Sequence, residues 1–400
     1  MDMSKKLPEG WRRLSLSELG KIYTGNTPPT KKEEFYISND VMFIKPDDFI
    51  QGKINIIGKS KAYLSKVGAE KGRFIPKGSV LITCIGILGK VGIIDEDCCF
   101  NQQINAIVPN LNIVIPKYVA YYIMNNKHIL ESMAGGAVVP MINKTQFSSI
   151  KIDLPPLEEQ ERIVSILEKA ENAIEKRVES IKLFDELIKS RFIDMFDKGN
   201  YPIVKAEDVC EYITKGTTPK GNEIFEEYAD GLIPYLKVYN LSFDGTMLFN
   251  EKPQYVKSEI HNGFLARSKV YPNDILMNIV GPPLGKFSIV PDTFKEWNIN
   301  QAMAIFRATD KIKPIFLLHA LKQPNVLRPF IDSAVGVRQQ NLSLLQCRNL
   351  EIPLPPIELQ NKFVEFVKQV DKLKFEMENS LKELENNFNS LMQKAFNGEL

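Results

Sequence analysis

Three reaction chemistries leave recognisable residue spacings, and none is complete in this chain. Methylation of an exocyclic amine uses an Asn, Asp or Ser followed by Pro-Pro and an aromatic residue. The four Pro-Pro pairs here are preceded by Thr27, Leu154, Gly281 and Leu354 and followed by Thr30, Leu157, Leu284 and Ile357. Metal-dependent phosphodiester cleavage uses an acidic residue two positions before a lysine, so that both converge on the metal and its water. No lysine in the sequence is so placed. Nucleotide hydrolysis uses a glycine-rich loop ending in Gly-Lys-Ser or Gly-Lys-Thr. Gly58-Lys59-Ser60 comes near, but Lys53 stands where the first glycine belongs and Gly52 is one residue too far. The five cysteines (Cys84, Cys98, Cys99, Cys210, Cys347) have no C-x-x-C spacing, and His128, His261 and His319 are scattered. Neither a zinc site nor a disulfide framework is expected. The sequence predicts a non-catalytic protein with no metal and no cofactor of its own.

Binding chemistry is better represented. Lys45 and Lys237 each follow an apolar dipeptide, and Lys90 and Lys286 each follow a Leu-Gly turn whose amides could also meet phosphate. Gln102 and Gln301 follow an asparagine; they are adenine-reading amides or satisfied core amides. Thr27 and Thr218 sit in Gly-x-Thr-Pro turns, where a turn-stabilising hydroxyl is expected. Arg338, Gln339, Gln340 and Asn341 form a polar run with base-reading chemistry, and Asn143 and Lys144 are weaker candidates near the matching place in the first half.

These pairs exist because the chain is written twice. Leu154-Pro155-Pro156-Leu157-Glu158-Glu159-Gln160 returns as Leu354-Pro355-Pro356-Ile357-Glu358-Leu359-Gln360. Gly25-Asn26-Thr27-Pro28 answers Gly216-Thr217-Thr218-Pro219, Phe43-Ile44-Lys45 answers Tyr235-Leu236-Lys237, and Asn101-Gln102 answers Asn300-Gln301. Their order is preserved, so each copy is one structural unit.

Each copy has two parts, giving expected boundaries of 1–153, 154–198, 199–353 and 354–400. The first part is rich in Gly, Pro, β-branched and aromatic residues in short runs. Val80–Thr83, Lys90–Ile94, Asp274–Met277 and Phe287–Val290 read as strands, and Tyr118–Ile129 and Pro314–Leu321 as helices. An α+β domain follows. The second part is one long helix. Leu167, Ala170, Ile174, Val178, Ile181, Phe184, Ile188, Phe192 and Met195 advance in steps of three and four, as do Val367, Val370, Leu373, Met377, Leu381, Leu384, Phe388, Leu391 and Ala395. That spacing is the coiled-coil period. Gly199 and Gly398 stand where C-terminal caps belong. The simplest arrangement is an antiparallel pair within the chain about a pseudo-two-fold axis; pairing between two chains is the alternative. A helix of about 40 residues is roughly 60 Å long, nearly two turns of B-DNA at about 34 Å each.

Charge is divided by region. Residues 1–150 hold 19 Lys+Arg against 13 Asp+Glu, whereas 151–200 and 352–400 together hold 15 against 20. Basic charge in the first globular part suits a polyanion, and acidic helices suit a protein partner. No segment approaches the roughly 20 apolar residues of a membrane span, so a soluble, cytoplasmic protein is expected.

A globular domain, an L-P-P-x-E-x-Q segment and a heptad helix, repeated at a 200-residue interval, resemble the specificity subunits of type I restriction–modification systems. The resemblance covers essentially the whole chain. Gly336-Val337-Arg338-Gln339-Gln340-Asn341-Leu342-Ser343 is also similar to a stretch these domains often carry. The first half departs there, with Val138-Val139-Pro140-Met141-Ile142-Asn143-Lys144, and Cys84 stands where the family often has arginine. The resemblance implies two target-recognition domains, each reading one half of a split double-stranded DNA sequence. It implies helices that fix the gap and dock two modification subunits, which bind S-adenosylmethionine, with restriction motor-nuclease subunits completing the complex. A repeated scaffold binding protein instead of DNA is the competing expectation.

Overall fold

The computed structural model describes residues 7–135, 138–197, 199–281, 283–332 and 341–400. The chain forms two compact units. One comprises residues up to Arg177 together with Ser380–Leu400, and the other Val178–Asn379. Each holds one globular repeat and a stretch of both long helices.

In the first unit a five-stranded sheet runs Gly20–Thr24, Ile104–Pro109, Val80–Thr83, Val91–Ile94, Ile54–Ile57. Its pairings are antiparallel except the last, which is parallel. A four-stranded sheet, Tyr63–Leu64, Val41–Ile44, Cys98–Phe100, Phe74–Ile75, lies in the same unit. Val80–Thr83 is buried along its whole length, and the continuous Val-Leu-Ile run reflects burial on both faces. Arg12–Ser15 pairs antiparallel with Lys151–Leu154, and Arg13 clasps Asp153 through two bonds of 2.6 and 2.9 Å. That ribbon ties the ends of the globular part together just before Pro155-Pro156.

The second unit repeats the plan. Its four-stranded sheet runs Cys210–Lys215, Met303–Ala308, Ile275–Asn278, Phe287–Ile289, and a five-stranded sheet is centred on Leu232–Leu236 and Trp297–Ile299. Ile203–Lys205 pairs with Glu351–Pro353 as the closing ribbon. The predicted strands and the helix Pro314–Leu321 are present. The helix expected over Tyr118–Ile129 is instead two, Pro116–Asn125 and Lys127–Ala134. Asn126 separates them, its side chain donating to the Tyr122 carbonyl at 3.0 Å and competing with helix propagation.

The long helices are Leu157–Phe196 and Ile357–Asn397, and they pack together. In the first unit Ile163, Val164 and Leu167 share a core with Met392, Ala395 and Phe396. In the second, Ile188, Phe192 and Phe196 share one with Phe363, Val367 and Val370. Early residues of one helix meet late residues of the other in both units, so the helices run antiparallel. Rings fasten them to the globular repeats: Tyr118 and Tyr122 meet Phe396 edge-on at 5.4 and 5.3 Å, and Phe316 meets Phe192 and Phe196 at 5.5 and 5.0 Å. Gly398 takes φ 71° and caps the second helix. Gly199 lies three residues beyond the first helix; a Cβ there would fall 2.0 Å from the Tyr201 ring, so close approach, not capping, accounts for it.

The histidines have structural or surface surroundings. His261 is fully buried, with its ring nitrogens bonded to Asn298 and Glu296; His128 is exposed, and His319 packs edge-on against Phe363. Among the described residues no three His, Cys, Asp or Glu side chains converge as a metal site, and no helix is long and apolar enough to cross a membrane.

Candidate nucleic-acid interface

The repeated short motifs converge on one edge of each unit. In the first, Gly25 N–H donates to the Ile104 carbonyl at 3.1 Å and Asn26 N–H to that of Phe100 at 3.0 Å. The Gly-x-Thr-Pro segment is thereby clamped on the Asn101-Gln102 turn. In the second, Gly216 donates to Met303 at 3.0 Å and Thr217 to Ile299 at 3.1 Å. A Cβ at Gly25 would fall 2.1 Å from the Asn101 carbonyl oxygen, and one at Gly216 would fall 2.0 Å from that of Asn300. Only glycine admits this contact.

The edge continues through a third and a fourth segment. Cys84 N–H donates to Gln103 at 2.8 Å, and Ile142 N–H donates to Cys84 at 2.8 Å. Ile279 and Leu342 repeat both bonds, to Ala302 at 2.8 Å and to Ile279 at 2.9 Å. Bridges Ile85 to Met141 and Val280 to Asn341 complete the match. Asn341 therefore occupies the place that Met141 holds in the first unit, while Asn143 corresponds to Ser343.

Along this edge Gln102 and Gln301 are both exposed, so neither is a core amide. Thr27 Oγ1 donates to the Gln102 side chain, and Gln301 N–H donates to Thr218 Oγ1 at 3.3 Å. The turn hydroxyls thus orient the two glutamine positions. Asn341 is exposed. Arg338, Gln339 and Gln340 lie outside the described residues.

The lysines divide by surroundings. Lys45 and Lys237 each begin a 3₁₀ turn whose third residue, Asp48 or Asn240, accepts their N–H at 2.8 or 2.9 Å. These bonds use the backbone of each lysine and leave its side chain out of the turn; the Lys45 ammonium lies 5.5 Å from the Phe43 ring centre. Lys90 Nζ donates to the carbonyls of Pro46 and Phe49 at 3.2 and 3.0 Å, which commits it to the protein. Lys286 Nζ sits 5.7 Å from the Phe243 ring centre. The N–H groups of Lys90 and Lys286 are already taken, by Thr83 Oγ1 at 3.0 Å and Asn278 Oδ1 at 2.8 Å. Thr83 and Asn278 do the same job, bracing the turn from the preceding strand, with different chemistry. Lys144 is exposed at the start of a short helix, and Asn143 caps that helix by accepting from Gln146 N–H at 2.9 Å.

The surroundings of three features of this edge are not legible in the sequence. Cys84 is buried at its centre; burial pushes its thiol up to about 12, opposed by hydrogen bonds from Asn105, so the position carries no charge near neutrality. Asn26 Oδ1 and Asn300 Oδ1 are buried acceptors without a partner among the described residues. Finally, Val138, Val139 and Met141 are exposed apolar side chains, and Ile87, two residues past the bridge partner Ile85, is a fourth.

The family model for the type I restriction modification DNA specificity domain matches twice, over residues 8–183 and 198–386. The chain belongs to this family. Its DNA-specificity relatives include the type I restriction enzyme MjaIX specificity subunit of Methanocaldococcus jannaschii, 24% identical over 99% of this chain and 94% of the relative. A solved chain from work on complex assembly and conformational transition of the type I R-M system superposes with a TM-score of 0.65 at 19% identity, covering 99% of this chain and all of that one. The type I S subunit from M. genitalium superposes at 0.54 with 15% identity, covering 99% and 98%. Type I specificity subunits are the non-catalytic members of their systems, as expected of a chain with no complete catalytic motif.

Proposed function

We propose that this chain reads a split double-stranded DNA sequence for a type I restriction–modification complex, each globular repeat taking one half. The observation that carries this reading is the duplicated edge. Four segments far apart in each repeat are laced by the same backbone bonds, and each edge presents an exposed glutamine beside a threonine. Side chains of this type can address base edges, while nearby cations set register on the phosphates. Lys45, Lys144, Lys237 and Lys286 are the proposed phosphate contacts; Gln102, Gln301 and Asn341, with Arg338, Gln339 and Gln340, are the proposed base contacts. Asn143 acts through the helix it caps, and Lys90 through the turn it holds.

The long helices are the proposed spacer. A stiff rod converts its length into a requirement on half-site separation, and linking two readers raises the effective concentration of the second. They are also the proposed docking surface for modification subunits, which would carry S-adenosylmethionine, with restriction subunits joining them in the cytoplasm. In the second unit Leu183 and Leu187 are exposed one helical turn apart, an apolar face suited to a partner helix.

Retention of duplex DNA by the chain with its modification subunit, measured against salt, tests the reading. Binding that falls steeply with salt and depends on a bipartite sequence supports it. Retention of a protein partner with no DNA binding would instead make the chain a scaffold.

A further inference from the structure

The two edges differ most at their fourth segment, where the first unit is apolar. Met141 bridges to Ile85, Gly86 N–H donates to the Pro140 carbonyl at 3.0 Å, and Ile142 is bonded to Cys84. This ladder holds the strip 138–142 against the turn that carries Ile87. The side chains it presents are uniformly apolar: Val138 is wholly exposed, and Ile87, Val139 and Met141 are 61%, 57% and 54% exposed. Four such side chains in one place are costly in water and mark a contact surface. None carries a hydrogen-bonding group able to read a donor or acceptor pattern.

The occupant follows from continuity. Cys84 bonds to the apolar strip on one side and to Gln103 on the other, so the strip extends the edge that displays Gln102 and Thr27. Exposed Lys144 lies two residues beyond it. In the major groove the apolar feature that varies with sequence is the C5-methyl group of thymine. We propose that Ile87, Val138, Val139 and Met141 read thymine methyl groups in the half-site taken by the first unit. In the second unit the matched place holds Asn341, an amide suited to adenine, so the two repeats read their halves by different chemistry. This inference rests on the proposed reading of split DNA and specifies it.

The test uses the complex of this chain with its modification subunit on its mapped target duplex. Thymines are replaced by deoxyuridine in one half-site at a time, which removes only the methyl groups. Loss of contacted methyls is expected to weaken binding roughly four-fold each, the equivalent of one buried CH₂. The loss is expected in one half-site only. It should shrink in Val138→Ser and vanish in the quadruple variant Ile87→Ser, Val138→Ser, Val139→Ser, Met141→Ser, whose positions are all exposed. A half-site pair with no thymine, no uracil effect, or an effect that persists in the quadruple variant overturns the proposal. So does increased 2-aminopurine fluorescence at that half-site that the variants abolish, which would make the strip a wedge between base steps. If the complex binds no DNA at all, the proposed function fails first; if it binds specifically and ignores uracil, only this inference fails.

Discussion

The side-chain oxygen of Gln160 accepts the backbone N–H of Ile115 at 2.9 Å. Its Nε2 donates to the carbonyls of Ile113 and Pro155 at 3.0 and 2.9 Å, and the residue is fully buried. Gln360 makes the same three bonds, to Lys313 N–H and to the Lys311 and Pro355 carbonyls, at 2.9, 3.2 and 2.9 Å. The final residue of the repeated L-P-P-x-E-x-Q segment is therefore a clamp that fastens each long helix to the loop before a globular helix. Gln160→Ala leaves two carbonyls and one N–H of the backbone unpaired. Each such group costs about 1–3 kcal/mol when it stays buried. A marked fall in the urea midpoint is expected for Gln160→Ala and for Gln360→Ala, and little change for the exposed Glu161→Ala.

Lys90 and Lys286 occupy matched places and should behave differently. Lys90 is held by two carbonyls, so Lys90→Ala is expected to lower stability and leave the salt dependence of DNA binding unchanged. Lys286→Ala, as a lost phosphate contact, should reduce the slope of log affinity against log salt by about 0.9. Binding isotherms at several salt concentrations check both.

Base contacts should be confined to one half-site. Gln301→Ala is expected to lower discrimination at one position in one half by about 1–3 kcal/mol, the usual worth of a bidentate amide–base pair. Competition with duplexes mutated in one half at a time measures this. Equal loss in both halves would count against separate readers.

Acid should loosen the second unit before it affects ordinary carboxylates. Burial, aided by Lys322, holds the His319 imidazole at about 3 against an ordinary 6.5. Between those values the unfolded chain takes up a proton that the folded unit refuses. The stability that depends on neutral His319 is thus complete above about pH 6.5 and declines as pH falls toward 3. Urea unfolding followed at Trp297, which lies in this unit, should show a lower midpoint at pH 5 than at pH 7.5. His319→Gln should shrink that difference.

The repeat, the two heptad helices and most core strands were legible because burial imposes a period on the sequence. The bounds of the helix Pro314–Leu321 are legible to the residue, since Pro at its first position marks the start. The break at Asn126 was not legible, because a single side-chain bond to Tyr122 interrupts an otherwise continuous apolar pattern. Nor was the clamp by Gln160, whose partners lie 45 and 47 residues away. At the candidate edge, matched spacing does not separate Lys90, whose ammonium is held by two carbonyls, from Lys45 and Lys237, whose backbones alone enter the turn. The apolar strip was visible only as a departure from the polar run in the second half. Its exposure depends on a bridge between Ile85 and Met141 that no spacing reveals.

Mapping methylated adenines in cells that carry the system, with the wild-type chain and with Gln301→Ala, addresses the central claim most directly. The account predicts a two-part recognition sequence with a fixed gap for the wild type, and relaxed sequence in one part alone for the variant. A single uninterrupted recognition sequence, or simultaneous change in both parts, would contradict it.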